Sequence, residues 1–323
     1  MISLRPERLD QFVGQEAARG ILSVLIGAAR KRSEPVPHLL FSGPAGLGKT
    51  SLARIVAHEM NGRLVEVVGS SIKTPVEMAE RLLALRERDT LFIDEIHTLG
   101  RPVEEQLYAA MEDQIVAVRQ KSFDQLMRGI GIHAASGDNK AVHRLPGFSL
   151  IGATTLLGLC SAPLRSRFSQ IIELKPYDID ELKMIVCAAA KKLDFELPED
   201  IARRIAERSR NTARIAVGNL TWFRDYVAAD GGVPTLEAID GAFRLMGISA
   251  NGLTRSDREY LRVLTESDEA VGLDTLAATL AESAETIENS VEPFLLRQGL
   301  IQRTTRGRVA TARGREVLAE VTT

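Results

Sequence analysis

Cysteine is almost absent from this chain, with Cys160 and Cys187 the only two in 323 residues. That excludes a disulfide scaffold, and two isolated thiols do not make a zinc site; both are expected to be buried. Aromatic residues are scarce at 5%, with a single tryptophan. Charge of one sign is lacking too. The net charge is −2, so any affinity for nucleic acid has to come from a local patch. No apolar run approaches the ~20 residues that span a bilayer. Met1 to Asp10 carries Arg5, Glu7, Arg8 and Asp10 where a signal peptide would have an apolar core. A cytoplasmic setting without a membrane partner is the expectation. The balance of 45% hydrophobic and 26% charged residues is that of a globular protein, and the length suits two or three domains.

Short apolar runs punctuate the first half: His38 to Phe41, Leu64 to Val68, Leu91 to Ile93, Phe148 to Gly152 and Ile171 to Leu174. Helical patterns such as Pro75 to Glu87 and Val103 to Glu112 separate most of them. Buried strands alternating with helices predict an α/β fold with a parallel five-stranded sheet covered on both faces. From Asp178 to Gly247 the pattern is helical only, with capping signals at Tyr177-Asp178 and Leu197-Pro198-Glu199. This reads as a small helical lid. The turn-rich Ser249-Ala250-Asn251-Gly252 marks a second boundary. Helices then follow at Arg255 to Glu266, Leu273 to Glu282 and Ala284 to Gln298. Two short strands at Leu300-Ile301 and Val309-Ala310 complete the plan of a winged helix. The expected domains are 1–177, 178–250 and 251–323.

The chemistry is concentrated in a few motifs. Gly43-Pro44-Ala45-Gly46-Leu47-Gly48-Lys49-Thr50 fits G-x-x-x-x-G-K-[ST], between an expected strand and helix. Glycines let backbone N–H groups curl around phosphate oxygens, and the helix aims its positive end at the same anion. Lys49 reaches the β- and γ-phosphates, and the Thr50 hydroxyl can ligate Mg²⁺. Thr90-Leu91-Phe92-Ile93-Asp94-Glu95 delivers two carboxylates at a strand's C-terminal end, where ligands bind in open α/β sheets. Asp94 suits the Mg²⁺ shell and Glu95 a general base on the attacking water. Thr154 and Thr155 end another strand with hydroxyls that can orient that water. Arg165 and Arg167 follow, and phosphoryl transfer often draws an arginine from a neighbouring subunit. Each motif alone also reads blandly: a glycine turn with a surface lysine, solvated acids at a strand end, a solvated helix end. Together they specify ATP and Mg²⁺ as cofactors. His97, His133 and His143 lack metal-ligand companions and are expected to pack or cap, with Trp222 and Phe223 in the lid core.

Between Arg297 and Arg315 lie six arginines and no acid. Arg303, Arg306 and Arg308 fall on the expected wing tip, where a bidentate fork can meet phosphates. A solvated basic tail is the bland reading. No aromatic is interleaved, which favours tracking of the backbone over base stacking.

These motifs resemble the AAA+ ATPases, and among them the RuvB family, motors of Holliday-junction branch migration. The resemblance runs along nearly the whole chain. It includes Leu4-Arg5-Pro6, Phe12-Val13-Gly14-Gln15, the P-loop through Ser51, and Asp94-Glu95-Ile96-His97. It continues through Tyr108-Ala109-Ala110-Met111-Glu112-Asp113, Ile151-Gly152-Ala153-Thr154-Thr155 and Arg165-Ser166-Arg167-Phe168. Asn211-Thr212-Ala213-Arg214-Ile215-Ala216 is similar to the family's sensor-2 segment, and Glu292-Pro293-Phe294-Leu295 and Gly299 to Thr304 to its C-terminal domain. The resemblance implies ATP contacts at Leu4, Arg5, Gly43 to Ser51, Glu112, Asp113, Tyr177 near the adenine, and Arg214 at the γ-phosphate. It implies Arg167 as the finger and Arg303 and Arg308 as DNA contacts. It also implies a ring, a hexamer, that moves double-stranded or junction DNA in recombination and repair with a RuvA-type partner.

Some positions depart from the family. Ala45 stands where proline is usual, Gln114 where an aromatic is usual, and Val217-Gly218-Asn219 and Thr221-Trp222-Phe223 replace a more basic run. Much of the usual N-terminal leader is missing before Leu4. The hairpin 114–145, which in the family docks onto RuvA, is extended here. Within it Phe123, Leu126, Met127 and Ile130 have helical spacing, predicting an amphipathic helix that packs on its own body or on a partner. An ordinary RuvA is therefore expected to stimulate this chain weakly or not at all. Two other functions remain open at this point. One is an ATP-dependent DNA-binding switch without translocation, separable by a branch-migration assay. The other is a protein remodeller whose winged helix binds protein, separable by a salt-dependent DNA titration.

Overall fold

Five apolar segments line up as one parallel sheet in the computed structural model, which describes residues 3–119, 140–267 and 269–322. The strands, in chain order, are β1 (Leu39–Ser42), β2 (Leu64–Val68), β3 (Thr90–Asp94), β4 (Ile115–Arg119), β5 (Lys140–Arg144), β6 (Ser149–Thr154) and β7 (Gln170–Glu173). The large sheet has the order β2-β3-β6-β1-β7, while β4 and β5 pair apart from it. All neighbours in the large sheet are parallel. The central strands β1 and β6 are buried along their whole length, as helices on both faces require. The edge strand β7 is exposed at three of its four positions.

Helices α1 (Glu16–Arg32), α2 (Lys49–Glu59), α3 (Pro75–Leu83) and α4 (Arg101–Glu112) cover the sheet, and the short α5 (Ala162–Ser166) follows β6. Helix α3 starts where Thr74 accepts the Glu77 amide and Pro75 fills the first helical position, a site that needs no N–H. It stops at Leu83, short of the expected Glu87. The Asp89 carboxylate accepts the amides of Arg63 (3.0 Å) and Arg86 (2.8 Å) and turns the chain into β3. Met78, Leu82, Leu91, Leu107 and Leu150 join one core between α3, α4 and the sheet. The predicted amphipathic helix at Phe123, Leu126, Met127 and Ile130 lies outside the described residues. Its flanks β4 and β5 are antiparallel, with Val116 opposite His143.

The chain divides into two compact units, one of residues 5–177 and one of 178–322, with Ser3 and Leu4 grouped in the second. The second unit opens with α6 (Ile179–Lys192), started by a reciprocal capping box between Asp178 and Glu181. Then come α7 (Glu199–Glu207), α8 (Ala213–Asp230) and α9 (Leu236–Leu245). Phe223 is buried, whereas Trp222 is partly exposed and donates its indole N–H to Ala242 O at 3.2 Å. After the turn come α10 (Arg255–Glu266), α11 (Leu273–Leu280), α12 (Ala284–Thr286) and α13 (Glu292–Arg297), then β8 (Ile301–Thr304), β9 (Gly307–Ala310) and α14 (Ala312–Thr322). The expected single helix from Ala284 is interrupted by a π turn at Ile287–Val291, and α14 was not anticipated from the sequence.

Lid and winged helix are cross-linked within this unit. Arg210 donates to Asp257 Oδ2 at 3.0 Å and to Ser290 O at 3.1 Å, and its guanidinium lies 4.5 Å from the Phe294 ring centroid. Gln298 donates to Asn211 Oδ1 at 3.3 Å. By contacts the regions expected as two domains, 178–250 and 251–323, form one body. No helix among the described residues is long and apolar enough to cross a membrane.

Candidate nucleotide and DNA sites

The P-loop runs from the end of β1 into α2. Its glycines have φ of +132° at Gly43, +79° at Gly46 and +104° at Gly48, in the region that L side chains avoid. A Cβ at Gly43 would stand 2.4 Å from Leu174 O, and one at Gly48 would stand 2.7 Å from the Phe12 ring. The loop can therefore take this course only with glycine at these positions, and a course of this kind lets successive backbone amides face a phosphate. Lys49 is buried, and its ammonium donates to the carbonyls of Gly43 (2.5 Å) and Pro44 (3.0 Å), which holds it over the loop. Pro44 and Ala45 are exposed on the rim. The buried Tyr177 donates its hydroxyl to Leu47 O at 2.9 Å, bracing the loop from behind. Thr50 and Ser51 occupy the first turn of α2.

Register sets the acids beside this cradle. Ser42 of β1 is opposite Thr154 of β6, and Ile93 of β3 is opposite Gly152. Gly43 N donates to Thr154 O at 3.2 Å. Thus Asp94, Glu95, Thr154 and Thr155 leave the sheet at the same edge as the P-loop. Glu95 takes a left-handed backbone, φ 47°, a conformation that is uncommon for non-glycine residues and found at functional turns. Its Oε2 accepts from Thr155 Oγ1 at 3.0 Å and from Thr155 N at 3.2 Å. His97 Nδ1 lies 3.3 Å from the same oxygen and 2.9 Å from Thr154 Oγ1. His97, expected only to pack or cap, thus joins the two threonines to the glutamate. Asp94 Oδ1 accepts the Glu95 amide at 3.1 Å. A carboxylate and a hydroxyl, Asp94 and Thr50, are the hard oxygen donors that suit Mg²⁺.

Arg167 lies at the other edge. It lines a cavity with Pro35 to His38, Gln114, Phe148 and Ser166 to Ser169, residues that precede the first positions of β1, β6 and β7. A parallel sheet separates this edge from the P-loop. The Glu112 carboxylate pairs with Arg167, Nε to Oε1 at 3.2 Å. Asp113 caps α4 at its C-terminal end and is exposed. Leu4 is half-buried and Arg5 exposed. Arg214 is exposed on the first turn of α8.

The wing differs from a bare cationic strip. Glu292 is fully buried and accepts from Tyr260 Oη (2.9 Å), Arg303 Nε (2.6 Å) and Arg308 Nε (2.8 Å). Arg308 also donates to Glu288 at 2.8 Å. Burial pushes the Glu292 carboxyl up, but Arg308, Tyr260 and Arg303 outweigh it and hold it below its ordinary value. Burial and Glu292 together raise the Tyr260 phenol. The Arg303 side chain remains 45% exposed and that of Arg308 only 14%, while Arg306 is exposed at the hairpin tip. Arg315 donates to Thr265 O.

A phosphate cradle, a β3 acid pair, hydroxyls on β6, an arginine at the opposite edge and a helical lid define the class: an AAA+ P-loop ATPase. Matches to known proteins cover all of it. Residues 4–174 fit the Holliday junction DNA helicase RuvB P-loop domain, 177–248 the RuvB AAA lid domain and 250–319 the RuvB C-terminal winged helix domain. The Holliday junction branch migration complex subunit RuvB of Kosmotoga olearia is 43% identical over 312 residues, 96% of this chain and 88% of that protein. The same-named protein of Rubrobacter xylanophilus is 44% identical over 96% of this chain and 84% of its own length. The structure of the Thermotoga maritima RuvB Holliday junction branch migration motor superposes with a TM-score of 0.83 at 37% identity, covering 98% of each chain. This chain belongs to the RuvB family.

Proposed function

We propose that this chain is an ATP-driven motor that moves double-stranded DNA to drive branch migration of Holliday junctions. The observation that carries the reading is the separation of Arg167 from its own P-loop by the depth of a parallel sheet. A transition-state arginine on the face opposite the nucleotide is useful only to a neighbour, so the enzyme works as a ring, a hexamer by resemblance to its relatives.

In this reading the P-loop amides and Lys49 bind the β- and γ-phosphates, and Thr50 and Asp94 hold Mg²⁺, which neutralises phosphate charge when bound. Glu95, aimed by Thr155 and by His97, takes the proton of the attacking water, and Thr154 keeps His97 in place. The neighbour's Arg167 meets the charge that develops on the γ-oxygens. Leu4, Arg5 and Tyr177 border the nucleotide of their own chain, Glu112 and Asp113 border the neighbour's beside Arg167, and Arg214 reads the γ-phosphate from the lid. Arg210 and its partners pass lid movement to the wing, where Arg303, Arg308 and Arg306 track the DNA backbone. The test is ATP turnover against protein concentration, with and without duplex DNA. Turnover per subunit that rises with concentration and with DNA supports a ring motor. Turnover independent of both refutes it.

A further inference from the structure

Arg167 is held by one face of α4. Glu104, Tyr108 and Glu112 recur every fourth residue along that helix, and such residues form a stripe on one side. Each meets the arm that carries the arginine. Glu104 is buried and accepts from Ser161 Oγ at 2.7 Å and from Tyr108 Oη at 2.8 Å. Ser161 is the N-cap of α5, accepting the Leu164 amide at 3.2 Å. Arg167 closes the other end of α5 as its C-cap. Its guanidinium lies over the Tyr108 ring, 4.2 Å from the centroid. On one side Nη2 donates to Glu112 Oε2 at 3.3 Å, and on the other Nη1 donates to Pro163 O at 2.7 Å.

A guanidinium carries five N–H donors. The ring supports one face, and the carboxylate and the carbonyl each take one Nη hydrogen. Each Nη thus retains a second hydrogen, and the side chain is 22% exposed. Those two hydrogens can form a fork of the kind that engages phosphate oxygens bidentately. The pairing with Glu112 therefore orients the arginine rather than occupying it.

We propose that Glu112, Tyr108 and Glu104 are positioning residues for the transition-state arginine, acting on the neighbour's nucleotide through Arg167. The inference rests on the reading of Arg167 as a finger that works between subunits. Positioning by groups remote from the reaction is worth rate, not substrate affinity. Tyr108→Leu removes the platform, and Glu112→Ala removes the lateral acceptor. Each should lower kcat about 10-fold with KM for ATP changed less than about twofold. Glu112→Gln, which keeps an oxygen acceptor, should lose less, about threefold. Tyr108→Phe keeps the platform and should stay closer to wild type than Tyr108→Leu.

The experiment measures steady-state ATPase of these variants beside Arg167→Ala, alone and mixed with Lys49→Ala subunits. A Lys49→Ala subunit binds no ATP but offers an intact stripe and finger to its neighbour. Mixing should raise turnover per Glu112→Ala subunit, as it should for Arg167→Ala. If Arg167→Ala is impaired while the Glu112 and Tyr108 variants have wild-type kcat, the positioning role is wrong. If Glu112→Ala is impaired but not rescued by mixing, Glu112 acts within its own subunit and the inference fails. Full activity of Arg167→Ala would instead remove the finger reading itself, and this inference with it.

Discussion

Glu292→Gln is the substitution that most directly probes how the wing is built. Glu292 is fully buried between Tyr260, Arg303 and Arg308. Replacing its carboxylate by an amide removes the negative charge that balances two guanidinium groups, one of them only 14% exposed. Breaking a buried ion pair by removing one partner costs about 3–5 kcal/mol. Glutamine keeps one carbonyl acceptor, and Arg308 keeps Glu288, so the lower end, about 3 kcal/mol, applies. For a body the size of the lid and winged helix together, this lowers Tm by roughly 6–12 °C. Calorimetry of the intact chain reads it as a shift of one transition. The sign with pH follows from the depressed carboxyl. Its contribution is present above the unfolded value and lost as pH falls through the lower folded value; the glutamine variant lacks this acid limb. A loss under about 1 kcal/mol, or an unchanged acid limb, would refute a buried, paired Glu292.

Other outcomes follow from the same geometry. Thr155→Val deletes a hydroxyl donor to Glu95 and should lower kcat at least about 10-fold while ATP binding persists; nucleotide titration beside turnover checks it. Arg303→Ala with Arg308→Ala should weaken DNA binding and reduce the salt slope by about one to two units. It should also unbalance Glu292, so Arg306→Ala is the companion that changes affinity without that loss; unaltered affinity in all three would move the DNA site elsewhere. His38 accepts the Leu150 amide on Nδ1, and burial, partly opposed by a bond to the Met111 backbone, lowers its pKa to about 4. The unfolded chain therefore binds the extra proton first. Stability should fall by about 3 kcal/mol as pH drops from about 6.5 to 4, and denaturation of His38→Gln should lack that component.

The elements of the candidate nucleotide site were legible because they are local: each motif spans a few contiguous residues, and strand order alone brings the P-loop, the acid pair and the β6 threonines to one edge. Strands and several helix starts fell within a residue or two for the same reason. Helix ends were less legible. Asp89 ends α3 early with bonds from Arg63 and Arg86, and the first of these reaches across two elements. What escaped depends on pairs distant in sequence. His97 and Thr154 stand 57 positions apart, and only the neighbouring of β3 and β6 makes them partners, although a histidine two residues after the acid pair is a local hint. The strip from Arg297 to Arg315 reads as uncompensated because its counter-charges, Glu288 and Glu292, lie just upstream on another element. Arg210 and Asp257 meet across 47 positions, so the contacts that join lid and wing were not visible in either segment alone. The expected helix around Phe123 to Ile130 lies outside the described residues, and the effect of the hairpin on a RuvA-type partner is a matter for titration.

The central claim, that ATP hydrolysis at this site moves a junction, is tested most directly by following a synthetic four-way DNA junction in real time with ATP and Mg²⁺, with and without RuvA. The intact chain should convert junction to duplex products only with hydrolysable ATP, and Glu95→Gln should bind the junction without moving it. RuvA should add little unless the hairpin 114–145 is trimmed to family length. A junction that stays unmoved while the intact chain turns over ATP on it, with or without RuvA, would contradict the account.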